Sequence, residues 1–213
     1  ATLAFSKIPV NESGGFDLVI ALRGLMPIGQ DLAKTGIING AVITAEAVGP
    51  QNKNMGSALL SAQYTIERID SMIDNTIAEL KKLYPDKNIH LNDKGLVWSG
   101  FSGGAVVISG LVSQLGNFKY KNNLKAVVLN DGLHSYNKNL LEWANNPNNQ
   151  LRILNTAVIP MGYPSTTDTA KWIRENLKLT PSDRLHYQKY GFIPASAYTN
   201  ENNNVQIISM FDN

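Results

Sequence analysis

GLVWSGFSGGAVVISGL, residues 95–111, holds two apolar runs with a glycine-rich break between them. Leu96-Val97-Trp98 has the β-branched and aromatic content of a buried strand. Gly100-Phe101-Ser102-Gly103-Gly104 ends that run, and Ala105 to Leu111 starts a second one at once. The pattern predicts a strand over 95–99 and a helix over 103–115. A serine between such elements is either a nucleophile raised above the sheet or part of a small-residue turn between buried segments. What surrounds it must decide.

Working outward, GGFDLVIALRGL predicts a buried strand over 16–22, and GAVITAEAVG a second over 40–49. A short helix is expected at 29–38. Residues 57–83 predict a longer one, because Ile66, Ile69, Ile73, Ile77 and Leu80 recur at steps of three and four. Pro85 ends it. LKAVVLN predicts a strand at 124–130, residues 138–145 a short helix, and LRILNTAVI a strand at 151–159. STTDTAKWIRENL reads as a helix with Ser or Thr at its N-cap, and VQIISMF at 205–211 as the last strand. Strands that alternate with helices, several of them continuous apolar runs, predict an α/β fold. Its mostly parallel sheet is expected to carry helices on both faces. With no linker or repeat, residues 1–213 form one expected domain, and the long stretch at 180–204 is its candidate lid.

Composition narrows the chemistry. The net charge of +2 and the lack of a basic stripe argue against nucleic acid as a partner. Zero cysteines exclude disulfides, thiolate catalysis and zinc–thiolate sites. No run is long and apolar enough to predict a membrane span. Three histidines without an i, i+4 pair make no zinc motif. Neither a P-loop nor a dinucleotide fingerprint is present, so no cofactor is expected.

Ligands of parallel sheets sit beyond the carboxyl ends of the strands. Ser102 is at such an end, and the amide of Gly103 opens the following helix, where backbone donors are unsatisfied. Gly100-Phe101-Ser102-Gly103-Gly104 on a strand–turn–helix resembles the nucleophile elbow of the α/β-hydrolase fold. The resemblance covers most of the chain in element order and is specific in sequence at the elbow. The two leading strands of that fold are hard to place in residues 1–15.

The resemblance implies a serine hydrolase acting on an ester, thioester or amide, with a small-molecule or acyl substrate. Ser102 is the implied nucleophile, and the Gly103 amide one oxyanion donor. The second donor comes from the loop after an earlier strand, here Arg23-Gly24-Leu25-Met26. Gly24 permits close approach, Leu25 or Met26 offers an amide, and Arg23 is a candidate for an anionic substrate group. Family order is serine, then acid, then histidine. Asp131, immediately past an apolar strand, is the expected acid, with Asp168 as its competitor.

His90 precedes the nucleophile strand and is at the wrong end. His134, three residues after Asp131, is the first candidate base, and His186 the second. The family histidine follows the last strand, which here puts it at or beyond Asn213. The chain is therefore either a piece whose histidine lies further on, an enzyme using His134 or His186, or a catalytically inactive module used for binding or assembly. A Rossmann-like or flavodoxin-like domain is a more distant alternative.

Overall fold

The computed structural model of the chain describes residues 2–7, 9–23, 40–46, 64–155, 164–182 and 195–210. In chain order these form β1 (Thr2–Phe5), β2 (Gly15–Arg23), β3 (Gly40–Glu46), α1 (Ile66–Leu83), β4 (His90–Phe101), α2 (Gly103–Val112), β5 (Leu124–Asn130), α3 (Lys138–Ala144), β6 (Gln150–Asn155), α4 (Thr166–Asn176), β7 (Thr180–Pro181), β8 (Ala195–Thr199) and β9 (Val205–Met210). The strands make one nine-stranded mixed sheet in the order β1-β3-β2-β4-β5-β6-β9-β8-β7. Its middle, from β3 to β9, is parallel, while β1, β8 and β7 are antiparallel to their neighbours. The α/β class and mostly parallel sheet read from the sequence are therefore present.

One face of the sheet is dry. A register row runs from Ile20 through Trp98, Val127 and Leu151 to Val205, and all five are fully buried. The alternate row, Ala21, Ser99, Val128, Arg152 and Gln206, is half-buried beyond Ala21. Period-two alternation thus separates a core face from a less covered one. Helices α1, α2 and α3 lie on connections that all step the same way across the sheet. The right-handed crossover preference puts such helices on a single face. Trp98 marks it, its ring packed at a tilt against Phe118 with centroids 4.9 Å apart.

Helix α1 presents Ile66, Ile69, Ile73 and Leu80 to the core. Ile77 is only partly buried, and Thr76 takes the buried place, its hydroxyl donating back to the Met72 carbonyl at 2.9 Å. Burying each large side chain contributes roughly 1.5–3 kcal/mol, so this stripe fixes the helix more than its propensity does. Thr65 caps it, as Ser165 caps α4. On the outer side, Asp74 accepts from Lys119 Nζ and from Tyr120 Oη, and the Lys119 bond holds the carboxyl of Asp74 below its ordinary range. Burial instead pushes Asp70, one turn earlier, upward.

The structure extends and trims several sequence expectations. Strand β4 begins at His90, not 95, because its polar start pairs with Gly15 and Phe16. Helix α2 ends at Val112 and a separate 3-10 turn follows at Leu115–Asn117. Residues 1–15 do supply one strand, β1, antiparallel to β3. Within 180–204, Thr180–Pro181 and Ala195–Thr199 are sheet strands, and β8 joins β9 as a hairpin. The helix expected at 29–38, the first part of the one expected from 57, and residues 183–194 of the candidate lid lie outside the described residues.

Candidate active site

Chain direction reverses its progress across the sheet at β2. From β2 the chain goes to β3 on one side, and later to β4 on the other. The carboxyl ends of β2 and β4 are therefore a topological switch point, where open α/β sheets place their ligands. Arg23 and Phe101 pair at that spot, and Ser102 is the next residue.

Ser102 has φ 52° and ψ −123°. This is the mirror image of the first central position of a type II turn, a conformation that glycine adopts and L-residues resist. Such a backbone costs of order 1–3 kcal/mol and persists only where its surroundings hold it. They do so here. The Ser102 amide donates to the Asn130 carbonyl at 2.8 Å, carrying the β4–β5 ladder one residue further. The Ser102 carbonyl accepts from Ala105 at 2.9 Å and starts α2.

The side chain is released by the same geometry. Ser102 occupies the N-cap position of α2, yet its hydroxyl caps nothing. The other three described α-helices differ. Thr65, Asn137 and Ser165 have extended backbones, and each side chain accepts from the first turn. Extended backbone is what a capping side chain needs. Ser102 is exposed, and the Gly103 amide beside it opens a helix whose first turn carries no acidic side chain. A hydroxyl and a helix N-terminus thus share one exposed corner.

Two glycines make the corner possible. A Cβ on Gly100 would lie 2.5 Å from the Ala105 Cα and 2.6 Å from the Gly104 carbonyl oxygen. A Cβ on Gly132 would run into the Ser102 carbonyl oxygen and the Ala105 methyl. Gly132 is the point where the loop after β5 touches the turn at Ser102.

That loop carries Asp131 and His134. Asp131 has φ 48°, also positive, and its amide donates to the Leu154 carbonyl at 2.9 Å. Ser102 and Asp131 are thus equivalent residues, each one step past adjoining parallel strands. His134 follows Gly132 by two residues, so its Cα is within roughly 7 Å of the Gly132 contact at the full reach of the chain. Nδ1 of His134 is 3.2 Å from the Pro164 carbonyl oxygen. A carbonyl only accepts, so this contact, made as a hydrogen bond, calls for the proton on Nδ1.

The remaining candidates separate clearly. His90 begins β4 and Ser102 follows its end, roughly 35–40 Å away at strand rise. Asp168 is exposed in the first turn of α4, where its carboxylate accepts from the Ser165 hydroxyl at 2.7 Å and its amide donates back at 3.0 Å. That reciprocal cap accounts for it structurally. Gly24, Leu25, Met26 and His186 lie outside the described residues, as does the side chain of Arg23. Among the described residues no cluster of His, Asp and Glu could hold a metal ion, and no helix is long and apolar enough to cross a membrane.

Beyond the elbow, the strand ends carry a buried polar pair that the sequence did not reveal. Asn155 Nδ2 donates to Ser209 Oγ at 2.7 Å across β6 and β9. No family model matches this sequence, and no curated protein is significantly similar to it.

The strain at Ser102 has a measurable consequence. Ser102→Gly removes the positive-φ penalty, against roughly 0.5–1 kcal/mol of glycine chain entropy. The variant is expected to gain about 1 kcal/mol, or roughly 2–4 °C in melting temperature for a chain of this size. A melting temperature equal to or below that of the unaltered protein would show that the backbone at Ser102 is relaxed.

Proposed function

We propose that the chain is a serine hydrolase with an α/β-hydrolase-like sandwich. The observation that carries this is Ser102: a serine at a switch point, held at φ 52° and ψ −123°, whose hydroxyl declines the capping bond its position offers. Strained, uncommitted side chains at strand ends are where function is concentrated.

In the proposed reaction, Ser102 Oγ attacks the carbonyl carbon of an ester, thioester or amide and gives its proton to His134 Nε2. The oxyanion is held by the Gly103 amide and by one from Leu25 or Met26, with Gly24 allowing the approach. Collapse breaks the bond to the leaving group, which takes the proton from His134, and water then cleaves the acyl-enzyme. Asp131, one strand over, supplies a carboxylate to the same edge and stabilises the imidazolium. Arg23 is assigned to an anionic part of the substrate.

A fluorophosphonate probe tests this without knowledge of the substrate. It should add covalently to one residue, Ser102, and Ser102→Ala should abolish the adduct. A folded protein that takes up no probe overturns the proposal and leaves the inactive binding module as the reading.

A further inference from the structure

We propose that Thr169 of α4 is the positioning residue for His134, and that the Pro164 carbonyl, rather than a carboxylate, fixes the tautomer of the imidazole. The catalytic consequence rests on the serine-hydrolase reading; the positioning itself does not.

The loop from Asp131 to Asn137 is tied at its start by the Asp131 amide to the Leu154 carbonyl, and again along its second half. Asn137 Nδ2 donates to the Ser109 carbonyl at 2.6 Å, tying the loop to α2, the helix that carries the elbow. Tyr136 packs edge-on against Trp172 of α4 at 5.4 Å. Earlier in the loop the Leu133 carbonyl and the His134 ring both turn toward the start of α4.

Thr169 is fully buried there. Its hydroxyl has one proton and three acceptors within reach: Leu133 O at 2.5 Å, Thr166 O at 3.1 Å and Ser165 O at 3.2 Å. A helical threonine ordinarily bonds back to its own helix. Here the shortest contact leaves the helix and holds the residue just before His134. Pro164, immediately before the Ser165 cap, then presents its carbonyl to Nδ1. One short segment, 164–169, therefore fixes both the backbone position and the ring orientation of His134. A carbonyl anchor holds the same tautomer that a carboxylate would, with Nε2 free to accept.

The test is imidazole nitrogen NMR on the 15N-histidine protein, recorded where the rings are neutral, with fluorophosphonate labelling alongside. Wild type should show His134 as the Nδ1–H tautomer. Thr169→Val keeps the shape and loses the donor. It should give a mixed tautomer and slow labelling of Ser102 by about tenfold or more, as small displacements of catalytic groups do. Thr169→Ser should restore both.

A wild-type Nε2–H tautomer overturns the inference, as does a Thr169→Val protein with unchanged tautomer and labelling rate. A tautomer that responds as described in a protein that never labels sinks the hydrolase reading and leaves the positioning intact. Each variant's amide spectrum reports whether it is folded.

Discussion

Gly100→Ala should lower stability by about 3 kcal/mol, at the upper end of what overpacking a core costs. The added methyl meets three atoms of the first turn of α2: the Ala105 Cα at 2.5 Å, the Ala105 nitrogen at 2.6 Å and the Gly104 oxygen at 2.6 Å. All are backbone, so no rotamer change relieves them. Helix and strand cannot simply part either. Ser102 is bonded to Asn130 on one side and to Ala105 on the other, and Ala105 is fully buried. A loss of this size is a large share of the roughly 5–15 kcal/mol that holds a domain together. It should appear as a drop of roughly 6–12 °C in melting temperature. A variant that melts with the unaltered protein would mean that β4 and α2 are not in contact at the elbow.

Asn204→Asp should be at least as damaging, by about 3–5 kcal/mol at neutral pH. Asn204 is buried at the opposite edge of the sheet, in the turn between β8 and β9. Its amide nitrogen donates to three carbonyls, Ala144 at 2.9 Å, Asn146 at 3.1 Å and Asn149 at 2.7 Å, while its oxygen accepts from Asn200 at 2.7 Å. An aspartate of the same shape turns a carboxylate oxygen toward three carbonyl oxygens. The ionised form is therefore disfavoured in the fold, and the folded-state pKa rises above that of the unfolded chain. Stability is greatest below the unfolded value and falls as pH rises through the folded one. Urea titrations across that range should show the variant close to the unaltered protein in acid and far below it at neutral pH. A pH-independent difference would contradict this account.

The strand–turn–helix around Ser102 was legible because its signals are local. Two apolar runs and a glycine-rich break lie within seventeen residues, and each implies its own geometry. Strands β2 and β5 were legible for the same reason, as continuous apolar runs. The antiparallel strands were not. TLAF, TP and ASAYT are short and carry no run of their own; pairing makes them strands. The β8–β9 hairpin was hidden because Asn203, at φ 55°, does what a glycine usually does in such a turn.

Of the candidate site, the strand-end positions of Ser102 and Asp131, and of the loop to His134, were legible. Gly132 was not, since its role depends on a backbone thirty residues earlier. Thr169 and Pro164 were also invisible, for they act across elements, and a threonine in a first helical turn has an ordinary local explanation. The competing acid, Asp168, shows the converse. Its bonds to Ser165 at the start of α4 account for it locally.

The most direct test of the central claim is the identity of the residue that a fluorophosphonate modifies. Intact-protein and peptide mass spectrometry should find a single adduct on Ser102, absent from Ser102→Ala and from heat-unfolded protein. No adduct on the folded chain, or an adduct on another serine that survives Ser102→Ala, would contradict the assignment of Ser102 as a nucleophile.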